Sequence, residues 1–205
     1  MVNVSESNDG GFSVKIEHDF GYFLNTDKYI PITKYYDESA AIIKLNLIHE
    51  NFLQVFISNL RKKGTEKYVK VGRYFMQNLE FSVALGLPVS IAECLVGMNL
   101  LRNKYAHDID YKITDEDIQP LLKKITNVNV SEVNPYGFFK DDIVSAITER
   151  GIDAITFMNN IPWETTPARK RIYKLVAAAF CISNLGAFYL INELYHRDDL
   201  KMSRI

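Results

Sequence analysis

The sequence predicts an all-α fold: a bundle of five or six helices preceded by a short irregular segment. Three observations carry that expectation. Breakers are scarce, with 10 Gly and 6 Pro in 205 residues. Apolar residues make up 47% of the chain, and beyond residue 36 they recur at helical spacing rather than in alternation. The periodic stretches are long and their connections short, the pattern of helices that pack against their chain neighbours.

Residues 1–36 stand apart from this pattern. Residues 1–11 are polar and acidic and read as a mobile tail. From Phe12 to Tyr36 the chain is rich in aromatics. Phe12, Val14 and Ile16 alternate, which permits a short strand, and Pro31 argues against a continuous helix. The expected organisation is therefore 1–36, tail and irregular segment, then 37–205, one helical domain.

Asp37 to Leu60 carries Ala41, Leu45, Ile48, Phe52, Val55 and Phe56 at helical spacing, and Arg61, Lys62, Lys63 and Gly64 close it. A second helix is expected over Glu66 to Leu85, with Tyr68, Val71, Phe75, Leu79 and Val83 on one side. Gly86 ends it, and Pro88 sits where the next helix begins. The third runs from Val89 to about His107. Thr114, followed by Asp115, Glu116 and Asp117, reads as an N-cap with an acidic first turn, opening a short helix to Lys124. Asn127 to Gly137 reads as a loop, Lys140 to Met158 as a helix and Asn159 to Thr166 as a connector. Pro167 opens a last helix that runs to about His196.

Composition removes several function classes. Lys and Arg number 24 against 25 Asp and Glu, so the net charge is −1 and a strongly basic footprint is absent from the chain as a whole. Two cysteines, Cys94 and Cys181, cannot build a disulfide framework, and both fall among apolar residues. Buried free thiols in a reducing, cytoplasmic compartment are the expectation. The N-terminus has no basic, apolar leader. Leu175 to Asn192 is free of charge for 18 residues, the lower limit for a bilayer span of roughly 17–25 residues. Ser183, Asn184, Asn192 and several small residues favour a helix buried in a bundle over one in a membrane. The histidines, His18, His49, His107 and His196, lack a second His or Cys at ligand spacing, so neither a metal nor a cofactor is expected. There is no phosphate-cradling glycine loop and no Gly-x-Ser-x-Gly.

One segment carries chemistry: Leu100 to Asp108, Leu-Leu-Arg-Asn-Lys-Tyr-Ala-His-Asp. On a helix, Ile91, Cys94, Leu95, Met98, Leu101 and Tyr105 form an apolar stripe, and Arg102 falls inside it. A guanidinium there needs an acid or a phosphate. His107 lies five positions on, about 140° around a regular helix, and shares its face with Asn103. The two groups meet on one small target only if the helix ends before His107 or a second copy of the chain supplies one of them. A structural role is also open. Arg102 would then pair with Glu80 or Glu93, and His107 would bond the last carbonyls of its helix.

This segment resembles the signature of the HEPN superfamily, an Arg with a polar neighbour followed a few residues later by a His near a helix end. Arg102, Asn103 and His107 match it. The surroundings are similar to the mannitol operon repressor-like branch. There, a turn like Phe81-Ser82-Val83-Ala84-Leu85-Gly86-Leu87 precedes the motif helix, and a long closing helix like Arg169 to Tyr195 follows. The resemblance spans roughly residues 38–195 and implies an HEPN-like bundle. It also implies a choice of function. One branch of the choice is a metal-independent endoribonuclease of toxin or defence type, a homodimer whose two motifs meet across a twofold axis. His107 would move a proton, Arg102 would hold the scissile phosphate, Asn103 would orient His107 or bind a phosphate oxygen, and an antitoxin would be a partner. The other branch is a non-catalytic transcriptional regulator or interaction module.

Two local clusters suit an RNA backbone. Lys62 and Lys63 sit after the first long helix, and Arg169, Lys170 and Arg171 open the last one. Cations at a helix start oppose its dipole, which makes the second cluster the more suggestive. Ala178, Ala179, Ser183, Gly186 and Ala187 form a small-residue strip suited to close packing within the chain or, less readily, to a dimer seam.

Overall fold

The computed structural model describes residues 2–4, 14–16, 19–108, 110–138, 165–200 and 202–204. Helices dominate them. α1 is Gly21–Leu24, followed by 3-10 turns at Thr26–Lys28 and Ile30–Lys34. Then come α2 Glu38–Leu60, α3 Phe75–Ala84, α4 Val89–His107, α5 Asp115–Thr126, α6 Val130–Val133 and α7 Pro167–His196. The all-α class expected from the sequence is what the chain adopts. Three short strands, β1 Val2–Val4, β2 Val14–Ile16 and β3 Met202–Arg204, pair antiparallel in that order and bring the two chain ends together. The helix expected over Lys140 to Met158 lies outside the described residues, as does most of the connector after it.

α7 is the axis of the bundle. Its apolar run is buried almost end to end by α2, α4, α5 and the segment before α2. Both α2 and α7 are long and apolar enough to span a bilayer. In α7, 94% of the most apolar window is buried inside the protein, so core packing accounts for its composition. The small-residue strip serves that packing. Gly186 faces the Phe52 ring so closely that a Cβ there would overlap it. Cys94 and Cys181 are buried, and burial pushes both thiols up to about 12.

Ion pairs give the helix directions. Arg171 at the start of α7 binds Glu38 at the start of α2 (2.8 Å), and Arg197 beyond the end of α7 donates to the Leu60 carbonyl at the end of α2 (3.0 Å). Those two helices run parallel. α4 runs against both. Its last turn is tied to the start of α5 by Lys104–Asp117, and Lys124 at the end of α5 reaches back to Glu93 near the start of α4.

Two expectations need correction. The helix over Glu66 to Leu85 begins only at Phe75. Before it, Gly64 takes a left-handed φ of +87°, and the Asn78 side chain binds both the amide (2.6 Å) and the carbonyl (3.1 Å) of Gly72. The backbone amide and carbonyl of Gly72 are thus satisfied by a side chain, not by a helix. Tyr68, counted in the apolar stripe, is 86% exposed. The loop expected over Asn127 to Gly137 holds the single turn α6, capped by the Asn129 side chain on the Ser131 amide. The aromatic segment before residue 37 belongs to the same core as the helices after it. Phe20, Phe23, Tyr29 and Ile32 are fully or almost fully buried. Phe23 meets Phe52 edge-on at 5.5 Å, and Tyr29 meets Phe180 at 5.1 Å.

Candidate functional site

α4 positions the motif. Pro88 precedes its first turn, Ile91, Cys94, Leu95, Met98 and Leu101 anchor it in the core, and Tyr105 is half-buried. The last turn is held from outside. The Tyr105 hydroxyl accepts a hydrogen bond from the Ile113 amide (3.3 Å), and its ring meets Tyr111 edge-on at 5.2 Å. Burial pushes the Tyr105 hydroxyl up to about 12, so it stays protonated. Lys104 lies over the Tyr111 ring and binds Asp117. Asp117 also closes the α5 capping box, accepting from the Thr114 amide at 2.8 Å. Partial burial raises the Asp117 carboxyl, but Lys104, Tyr111 and Thr114 together hold it well below the usual carboxylate range.

Arg102, Asn103 and His107 stand on the last two turns of this braced helix. Arg102 is half-buried and donates to the Asn103 Oδ1 at 3.1 Å. Among the described residues it has no acidic partner. Glu93 is taken by Lys124, so the pairing of Arg102 with Glu80 or Glu93 that the sequence allowed is not made. His107 is exposed at the last helical position, and its side chain makes no hydrogen bond among the described residues. The chain leaves the helix at Asp108, whose carboxylate accepts from the Asp110 amide (3.0 Å). Because α4 remains helical through His107, Arg102 and His107 diverge by about 140° within one chain. Of the two routes to convergence, an early helix end is removed, and a second copy remains.

The predicted RNA-binding residues fall at two places. Arg169, Lys170 and Arg171 lie at the motif's end of the bundle. Arg171 pairs with Glu38, and Lys174 with Asp115 at the start of α5. Arg169 lies over the Tyr36 ring, 5.6 Å from its centroid. Lys170 is exposed. Lys62 and Lys63 follow the other end of α2, a helix about 34 Å long. Lys63 is paired with Asp199 at 2.8 Å. Lys62 and Lys63 therefore lie at the opposite end of α2 from Arg102 and His107, and the two basic clusters stay separate in the fold. Helix direction decided this, and spacing along the sequence does not carry it.

Sequence reasoning missed the brace of Lys104, Tyr105, Tyr111 and Asp117. The Thr114 capping signal was present, but nothing marked Asp117 as the partner of Lys104. It also missed Tyr35 and Tyr36, which precede the Asp37 cap and reach the start of α7 only through folding. Among the described residues no three His, Cys, Asp or Glu side chains gather around a possible ion position. Comparison with protein-family models, curated proteins and solved structures finds no match.

Proposed function

We propose that this chain is an HEPN-like, metal-independent endoribonuclease of toxin or defence type. In this reading it acts as a homodimer whose site combines Arg102 and Asn103 of one copy with His107 of the other. One observation carries the reading: a guanidinium with no acidic partner among the described residues and an exposed imidazole stand on the last two turns of one braced helix, facing apart within a chain. A dimer about a twofold axis lets the two faces meet.

The chemistry needs only these groups and water. The 2′-oxygen of a ribose attacks the adjacent phosphorus while the bond to the 5′-oxygen breaks. His107 removes the 2′-OH proton while water protonates the departing 5′-oxygen, or His107 as imidazolium protonates that oxygen while water takes the 2′-OH proton. The guanidinium of Arg102 pairs with the non-bridging oxygens as charge builds on them. Asn103 holds Arg102 in place through its side-chain oxygen. The products are a 2′,3′-cyclic phosphate and a free 5′-hydroxyl.

The test is incubation of single-stranded RNA with the purified protein in excess EDTA. The expected result is cleavage with cyclic phosphate ends, absent from His107→Ala. RNA left intact by the wild type overturns the reading, as does cleavage that survives His107→Ala. Intact RNA together with harmless expression and retained partner binding would point to the regulator of the mannitol operon repressor-like branch.

A further inference from the structure

We infer that the cavity between the starts of α2 and α7 accepts one nucleotide of a single-stranded RNA, its base stacked on tyrosine and its phosphate on Arg169. The inference deepens the ribonuclease reading. It rests on that reading for the polymer, but not for the nucleotide chemistry.

The cavity has a volume of about 310 Å³ and is walled by Tyr35, Tyr36, Tyr173, Ile172, Thr166 and Arg169. That is the lower end of the ligand-pocket range, about 300 Å³ upward, and suits a single base with its sugar. Three tyrosines and one isoleucine make the wall flat and apolar. Tyr36 is 88% exposed. A large ring left that open contributes little to the core, and one face is all the Arg169 guanidinium covers. An open ring beside a cation is the platform on which single strands stack their bases.

The charge argument is independent of the rings. Four cations crowd the first two turns of α7, against the positive end of its dipole. Arg171 and Lys174 are neutralised by Glu38 and Asp115. Arg169 and Lys170 have no acidic partner among the described residues. The Arg169 Nε is itself buried without a hydrogen-bond acceptor there. A buried guanidinium nitrogen lacking an acceptor is costly, and a phosphate oxygen supplies the acceptor and the countercharge together. A stacking surface joined to an unsatisfied guanidinium describes a nucleotide better than an acidic peptide, which needs no rings, or a sugar, which needs no cation. The site lies at the same end of the bundle as Arg102 and His107. The Arg171–Glu38 pair links its two walls, and the same two charges act on Tyr105 in the motif turn.

The experiment measures binding of AMP, ribose 5-phosphate, inorganic phosphate and a short single-stranded RNA to the full chain by calorimetry. It compares wild type, Tyr36→Ala, Tyr36→Phe, Arg169→Gln and His107→Ala. The expectation is that RNA and AMP bind and that ribose 5-phosphate and phosphate bind far more weakly. Tyr36→Ala should weaken RNA on the order of tenfold, Tyr36→Phe should restore it, and Arg169→Gln should weaken both ligands. His107→Ala serves to keep the RNA uncut while its binding is read. Tyr36 is too exposed for its loss to unfold the chain. Binding unchanged in Tyr36→Ala and Arg169→Gln overturns the inference. So does AMP binding no better than phosphate, or AMP binding with RNA ignored. RNA bound through Tyr36 but never cut leaves the pocket standing and removes the nuclease. RNA cut through His107 at a rate blind to Tyr36 and Arg169 does the reverse.

Discussion

At the far end of α7 the Glu193 carboxylate accepts hydrogen bonds from Tyr189 (3.1 Å), Tyr136 (3.3 Å) and Arg197 (3.1 Å), and Arg197 in turn caps the Leu60 carbonyl. His196 stacks on Tyr136 at 3.9 Å, and Lys63 is matched by Asp199. At the near end, ion pairs also lock the helices, but a residue of chemistry is left over. Among the described residues Arg102 has only Asn103 and Arg169 only the Tyr36 ring, and Lys170 and His107 are exposed. Charges that close helix ends are already engaged by the fold. Charges that the fold leaves alone are those a ligand can engage, and their loss should cost activity rather than stability.

The sharpest break of that comparison is a pair of substitutions. Arg102→Gln should cut RNA cleavage by at least about 100-fold, while the urea midpoint reports a stability change within roughly 0.5 kcal/mol. Arg197→Gln, at the far end, should do the opposite. Cleavage per folded molecule stays, and the fold weakens by on the order of 1–2 kcal/mol because a guanidinium leaves a buried carboxylate.

Acid is the next largest effect, and it probes the core between the two ends. His49 is fully buried, with its Nε2 donating to the Ala179 carbonyl (3.2 Å) and no partner for Nδ1 among the described residues. Burial pushes it down to about 4, against the smaller opposing effect of the Ala179 carbonyl. Its folded value lies below its unfolded one of about 6.5, so the unfolded chain binds the proton more readily. Stability is complete above the unfolded value and falls as pH drops from about 6.5 to 4, by about 3 kcal/mol. Urea midpoints across that range should show the loss, and His49→Leu should flatten it. A wild-type midpoint that stays level through this range would remove His49 as its cause.

Gly186→Ala ranks below this. Its Cβ would enter the Phe52 ring, and overpacking of this kind costs about 1–3 kcal/mol. Thermal unfolding should show a lowered midpoint with helicity retained. The smallest effect belongs to the cations set at the wrong end. Lys62→Ala with Lys63→Ala should leave RNA cleavage within about twofold, since exposed charges at the opposite end of α2 are screened from the site by salt. A large loss of cleavage there would place RNA along the whole bundle.

The sequence made the helices legible wherever a cap and an apolar stripe agreed. Thr114 caps α5, and Pro167 opens α7, each at the residue expected. It misled where an apolar spacing continued through a turn. Tyr68 and Val71 keep step with Phe75, yet Gly64 and the Asn78 grip on Gly72 stop any helix before Phe75. Periodicity records which residues share a face, but not whether the backbone bonds needed to present that face are made elsewhere. The motif was legible because Arg102 stands out against an apolar stripe. The cavity was not, since Tyr36 and Arg169 are 133 positions apart in the sequence and meet only through the parallel packing of α2 and α7.

The composite site is tested most directly by mixing two dead chains. Arg102→Ala and His107→Ala are each expected to be inactive on RNA in EDTA. Co-expressed, half of the dimers are mixed by chance, and each mixed dimer keeps one of its two sites whole, so about a quarter of the wild-type rate should return. A mixture as inert as its components, or either variant active alone, would contradict the account.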